Sequence, residues 1–187
     1  MKLWHLSILV LLTTNEPYLL AVEHEEIADN KILANIFEMD QADREAGSEG
    51  IDWNAVNARD TERRTKTLEL LRGGEIRTSD DFLHAAYIFQ HGKSIEDFRL
   101  ALSLAWLAAT INPNNEDAKW LTASAWDRLL MNQGQPQWYG TQYQRFGDGD
   151  WMLHEVQEDA VSDEQRNALN VPTLKELKEH AKMLNDK

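Results

Sequence analysis

An all-α fold is predicted, built of antiparallel helical hairpins with a small irregular or β-hairpin insertion near the C-terminal third. Three observations predict it. Apolar residues recur at three- and four-residue spacing in one segment after another, which is the period of a helix face. Ser, Asp and Asn stand where those segments begin, and Gly or Asn-Pro where they end, as helix caps and breakers require. Small residues (Ala85, Ala86, Ala101, Ala105, Ala108, Ala109, Ala123, Ala125) crowd the middle of the chain. They suit close helix–helix approach, and the short turns between them imply antiparallel neighbours.

The N-terminus, MKLWHLSILVLLTTNEPYLLAVEHEE, has one Lys, a largely apolar run over 6–12, and a polar break before Ala21. It reads as a secretory signal peptide over residues 1–21, leaving 22–187 as a single helical domain. Glu16 and Pro17 interrupt what should be a short neutral stretch, and Leu19 is larger than the residue preferred two places before a cut. The competing reading is therefore a short buried element docked on the domain. A periplasmic or secreted location follows from the first reading, a cytoplasmic one from the second. The apolar run falls far short of the ~20 residues that span a bilayer, so no transmembrane segment is expected.

The first main helix is expected over about 25–46, on the stripe Ile27, Leu33, Ile36, Phe37 and Met39, and it stops at Gly47-Ser48-Glu49-Gly50. Asp52 caps a second helix over 53–72, with Gly73-Gly74 beyond it. Its charged face (Arg59, Asp60, Glu62, Arg63, Arg64, Lys66) reads as solvated. Ser79 or Asp80 caps a third helix ending at Gly92. Ser94 and Asp97 form a variant capping box for a fourth, reaching about Thr110. A fifth follows the Asn112-Pro113-Asn114 break, over 116–132, with Ala118, Leu121, Ala125, Leu129 and Leu130 on one side. The run WMLHEVQ reads as a small strand or hairpin. Ser162 with Gln165 opens a short helix, and Pro172 precedes a last one to about Leu184.

Composition narrows the functional classes. A formal net charge of -13 repels polyanions, and no basic run offsets it locally, which disfavours nucleic acid as a partner. The absence of Cys removes disulfides, thiol catalysis and Cys-ligated metal sites. GDGD at 147–150 lacks the further ligands of a calcium loop, and no G-x-S-x-G elbow is present. No metal site and no cofactor is expected. Seven Trp residues, several on helical stripes, are assigned to core packing.

The candidate site residues fall in three places. Asp40 and Arg44 are spaced at i and i+4, where carboxylate and guanidinium meet on a helix. Alone they read as a surface pair; with Gln41 they line a polar cavity if the charges face inward toward Asp127 and Arg128. The third helix is apolar nearly all round, so His84 and His91 lie in or near the core. Seven residues apart, they are separated by roughly 10 Å along the axis, too far to share one metal ion. His84 has Asp80 one turn back as an orienting carboxylate. The third place is WDRLLMNQGQPQWYGTQ, residues 126–142, where a helix ends at Gly134 and runs into a turn rich in aromatic and amide groups.

In order along the chain, Asp40-Gln41 with Arg44, Gln90-His91-Gly92, Asp127-Arg128, Gln137, the YGTQ of 139–142, and Arg166 with LNVPTL resemble an uncharacterised bacterial domain family with a DQ…DR…YGTQ signature. The likeness covers about 36–177 and is most specific at YGTQ. Many members look secreted or lipid-anchored, and the resemblance implies that these separated polar residues form one pocket. Where that family usually has G-L-P or similar before its last helix, this chain has Leu169-Asn170-Val171-Pro172. LALSLAWLAATINPNNEDAKWL is also similar to one unit of a tetratricopeptide repeat, without a repeating period elsewhere.

Two functional classes follow. The first is a module that binds a small polar ligand or a peptide at the YGTQ loop, through Asp40, Gln41, Arg44, Arg128, Gln137, Tyr139, Thr141 and Gln142, with aromatic area from Trp138 and Tyr139. The alternative is a hydrolase or transferase with His84 or His91 as base, Asp127 as orienting carboxylate, and Arg44 or Arg128 stabilising an anion. Gly134 and Pro136 should fold the loop back over the helix, placing Asp127, Tyr139 and Gln142 in one network. If Gln142 serves only a ligand, Gln142→Ala should leave the melting temperature nearly unaltered.

Overall fold

The computed structural model describes residues 27–45, 51–147 and 149–186; the signal-peptide reading of 1–21 lies outside them. Helices α1 (Lys31–Glu45), α2 (Trp53–Arg72), α3 (Ser79–Gln90), α4 (Ile95–Ile111) and α5 (Glu116–Asn132) come first. Strands β1 (Tyr143–Gln144) and β2 (Met152–Leu153) and helices α6 (Asp163–Ala168) and α7 (Leu174–Met183) complete the order. The chain is thus mostly helical with a very small sheet, as its periodicity predicts. No helix among the described residues is long and apolar enough to cross a membrane.

The cap chemistry sets most of these boundaries. The Asp52 carboxylate accepts from the backbone of Asn54 and Ala55, and reciprocal capping boxes open α4 (Ser94, Asp97), α6 (Ser162, Gln165) and α7 (Thr173, Glu176). Two expected starts are corrected. Thr78 caps α3, in a box with Asp81, because the Ser79 hydroxyl instead donates to the Ala108 carbonyl. Residues 27–30 are not helical, since Asn30 Oδ1 accepts from the amides of Ile32 and Leu33 and fixes the start of α1 there.

Helix α3 packs against α4, α4 against α5, and α1 lies on α3, with α2 touching both α1 and α3. The connections 91–94 and 112–115 are too short for anything but a reversal between neighbours. Ala85, Ala86, Ala101, Ala105, Ala108, Ala118 and Ala125 are all fully buried, so the backbones of α3, α4 and α5 approach closely around Leu83, Ile88, Leu104 and Leu121. A second, smaller cluster of Ala123, Val171 and Leu177 fixes α7 and the turn before it against α5, with Trp120, Tyr139 and Leu153 packed on it.

Two side-chain placements depart from expectation. None of the described tryptophans is fully buried: Trp120, Trp126, Trp138 and Trp151 lie partly buried at the edges of the core, and Trp53 and Trp106 are 47% and 61% exposed, because alanines fill the tight helix contacts. The charged face of α2 is not wholly solvated either. Asp60 and Arg63 are buried beneath α1, where they pair with its charges.

Candidate functional site

Gly134 follows the last turn of α5 with φ of +71°, and the amides of Gly134 and Gln135 close onto the carbonyls of Met131 and Leu130. This is a Schellman ending, which turns the chain sharply back. Residues 137–142 then return over α5, as predicted from Gly134 and Pro136. The buried Asp127 carboxylate receives four backbone N–H groups, those of Trp138, Tyr139, Gly140 and Thr141, at 2.8 to 3.0 Å, together with the Thr141 hydroxyl at 2.8 Å. Burial pushes the Asp127 carboxyl up, and the donated hydrogen bonds pull it back.

The carbonyl side of the same loop is held by Arg166. This guanidinium, 2% exposed, donates to the carbonyls of Trp138 (2.9 Å), Tyr139 (3.1 Å) and Val161 (3.0 Å) and to Asp163. Gln137, wholly buried, uses both ends of its amide on backbone: Nε2 donates to the carbonyls of Gln142 and His154, and Oε1 accepts from the Gln142 amide. Gly140 adopts φ of +88°, and a Cβ there would lie 2.9 Å from Leu177 Cδ1. The left-handed backbone there favours glycine, and any Cβ would also require Leu177 to shift.

The predicted network of Asp127, Tyr139 and Gln142 is therefore present, and it reaches further. Gln142 Nε2 donates to Ser124 Oγ and Thr141 Oγ1, and its Oε1 accepts from Arg128 Nε at 3.1 Å. A side chain with three hydrogen bonds is part of the scaffold, so Gln142→Ala cannot leave stability unaltered. This corrects the sequence expectation.

The second group of charges gathers where α3 ends against α1 and α2. Asp40, with no solvent exposure, accepts from Arg44 (3.1 Å), Gln41 (2.9 Å) and His91 Nδ1 (2.9 Å). It is a buried pairing and not the surface ion pair its spacing suggests. Arg44 also reaches Asp60 at 2.7 Å, Arg63 pairs with Asp60 at 2.9 Å and with Asp43, and Arg59 pairs with Asp43 at 2.8 Å. Arg128 Nη1 points to the Gln90 carbonyl at 3.4 Å, which brings it to the same helix end as His91. The envisaged cavity thus keeps Arg128 as a neighbour but not Asp127, whose carboxylate faces the loop.

Hydrogen bonds from Arg59, with Arg63 beside it, hold the Asp43 carboxyl at about 2, below its ordinary 3.8. A depressed folded-state pKa contributes stability that is fully present above the unfolded value and is lost as pH falls through the folded one. Wild-type stability should therefore decline between those two values, and Asp43→Asn should flatten that decline. Urea midpoints measured across this acid range check it.

His84 lies elsewhere. Its ring stacks on Phe37 at 4.2 Å, its Nδ1 is buried without a partner, and burial lowers its pKa. Asp80, the expected orienting carboxylate, instead accepts from Asn115 Nδ2 at 3.3 Å.

A cleft of about 690 Å³ opens on the other side of the loop. Its lining includes Thr141 and Tyr143, Asn167 and Asn170 from the α6 region, and Glu176 and His180 of α7. Thr141 and Tyr143 line this cleft, while Gln142, between them, reaches Arg128. Asn167, Asn170 and His180 carry no sequence signal of a site, being generic residues near the C-terminus; the left-handed φ of +55° at Asn170 is foreshadowed only by Asn before Val-Pro. A smaller hollow of about 210 Å³ lies among Leu102, Trp106, Thr122, Trp126 and Tyr139. No group of three or more His, Asp or Glu side chains among the described residues is placed to hold a metal ion. No family model matches the chain, and no curated protein or solved structure is significantly similar to it.

Proposed function

We propose that the chain is a binding module in which the cleft beside the YGTQ loop takes a small polar ligand or a short peptide. One observation carries this reading: a cleft of about 690 Å³, within the size range of ligand sites, is walled by a loop whose amides and carbonyls are already committed to Asp127 and Arg166. A wall fixed in advance loses little entropy on binding. Trp120, Val171, Leu177 and Met183 offer apolar area, and Asn167, Asn170 and His180 offer hydrogen-bonding groups. The test is an NMR screen of free amino acids, monosaccharides and dipeptides against the whole chain. Binders should shift the amides of Tyr143, Asn167 and His180, and the double variant Asn167→Ala/His180→Ala should weaken them at least about tenfold. Binders that shift other regions only, or that ignore the double variant, would refute the cleft.

The hydrolase or transferase reading is favoured by a different observation, the 2.9 Å contact of His91 Nδ1 with Asp40. An acceptor-only carboxylate accepts the hydrogen bond from Nδ1–H, which leaves Nε2 without a proton in the neutral ring. The orienting carboxylate in this reading is Asp40 and not Asp127. His91→Gln should then abolish any turnover of an ester or phosphoester panel; turnover that survives the substitution refutes it.

A further inference from the structure

Taking a guanidinium out of water without a counter-charge is costly, so one guanidinium in a cluster that lacks the partner the others have stands out. Arg44 has Asp40 and Asp60, Arg63 has Asp43 and Asp60, Arg59 has Asp43, and Arg64 has Asp97 at 3.8 Å. Arg128 sits beside this cluster with no carboxylate within ion-pair distance among the described residues. What it has instead is one neutral acceptor, Gln142 Oε1, and a long contact to the Gln90 carbonyl. Its Nη2 donates to no described residue, and Arg128 is only partly buried.

The charges around it do not compensate. Among the described residues Asp40, Asp43 and Asp60 are matched by Arg44, Arg59 and Arg63, which leaves Arg128 as the excess, and burial and the nearby positive charge of Arg44 press on it. The amide of Gln90 supplies a second open valence. Gln90 is 3% exposed, its Nε2 donates to Ser124 Oγ, and its Oε1 has no partner. Turning the amide over only exchanges which of its polar atoms is free. His91, the next residue, holds Nδ1 on Asp40, so Nε2 remains as a third group at this helix end.

We propose that Arg128 binds one small oxyanion, a carboxylate or phosphate group, at the C-terminal end of α3. A planar guanidinium edge presents two parallel donors to either anion. The net charge of -13 repels polyanions at long range, so the occupant is a small anionic ligand. This site is separate from the cleft of the loop, none of whose lining residues it uses, and stands or falls independently of it. The competing account is that Arg128 serves only as a cation at the negative end of α3.

The experiment titrates the whole chain with sodium phosphate and with sodium acetate at fixed ionic strength, with sodium chloride as control, following arginine Nε–H signals by NMR. The proposal expects the Arg128 signal to move saturably with phosphate or acetate and not with chloride; the tighter of the two anions names the source. Movement no larger than with chloride overturns the proposal without any variant. A second arm uses Arg128→Met, which keeps the apolar stem. An unpaired buried charge is better replaced than kept for stability alone, so this variant should melt no lower than wild type, and the Gln90 side-chain amide signal, expected to follow the anion in the wild type, should no longer do so. A Gln90 amide that still follows the anion in the variant overturns the proposal, and a variant that melts several degrees lower supports the helix-end account against it.

Discussion

Replacing Asp127 by Asn is expected to destabilise the folded chain by about 2–4 kcal/mol, since each buried N–H left without an acceptor costs about 1–3 kcal/mol. Asparagine keeps the shape but turns one of the two oxygens into a donor. Either the amides of Trp138 and Tyr139, which share Oδ1, or those of Gly140 and Thr141, which share Oδ2, would then face N–H groups. Relief of the carboxylate's burial cost, the influence that pushes its pKa up, offsets part of the loss and sets the upper end of the range. Urea denaturation at neutral pH with an unchanged m-value checks it. A loss under about 0.5 kcal/mol, the usual scale of an inconsequential substitution, would contradict it.

The second large effect is expected at Arg166. In Arg166→Met the carbonyls of Trp138, Tyr139 and Val161 lose their donor beside a side chain only 2% exposed, at a cost of about 2–4 kcal/mol. Arg166→Lys should recover little, because one ammonium cannot span acceptors that a planar fork reaches together. Both residues act on the same short segment from opposite sides. The double variant with Asp127→Asn should therefore fall short of additivity by about 1 kcal/mol, within the range for groups that share a network. Strict additivity would mean that the loop is not held as one unit.

How far the sequence could be read follows from where each signal lies. Ends of α2, α4, α5 and α6 are local matters of cap chemistry, and Asp52, Ser94, Asn115 and Ser162 announce them. The reversal after α5 was equally local, since Gly134 sets the turn that brings the loop to Asp127. Tertiary contacts are another matter. Nothing within α2 distinguishes Asp60 and Arg63 from the solvated charges beside them; α1 lying over them makes the difference. Asp40 shares this history, because its burial depends on His91, fifty-one positions away. Thr78, Ser79 and Asp80 are all good cap types, and only the Ala108 carbonyl, which takes the Ser79 hydroxyl, decides among them. The cleft escaped because its far wall comes from α6 and α7 residues with no chemical pattern of their own.

The measurement that tests the account most directly is native-state hydrogen exchange of the four amides of residues 138–141. All four are held by one buried carboxylate, and opening any of them requires the loop to leave Asp127 and Arg166 together. They should therefore exchange as slowly as the central amides of α3 and α5, in a single cooperative group, even though they belong to a loop. Exchange at the rate of a surface loop, or four unrelated rates, would contradict the claim that Asp127 locks this segment in place.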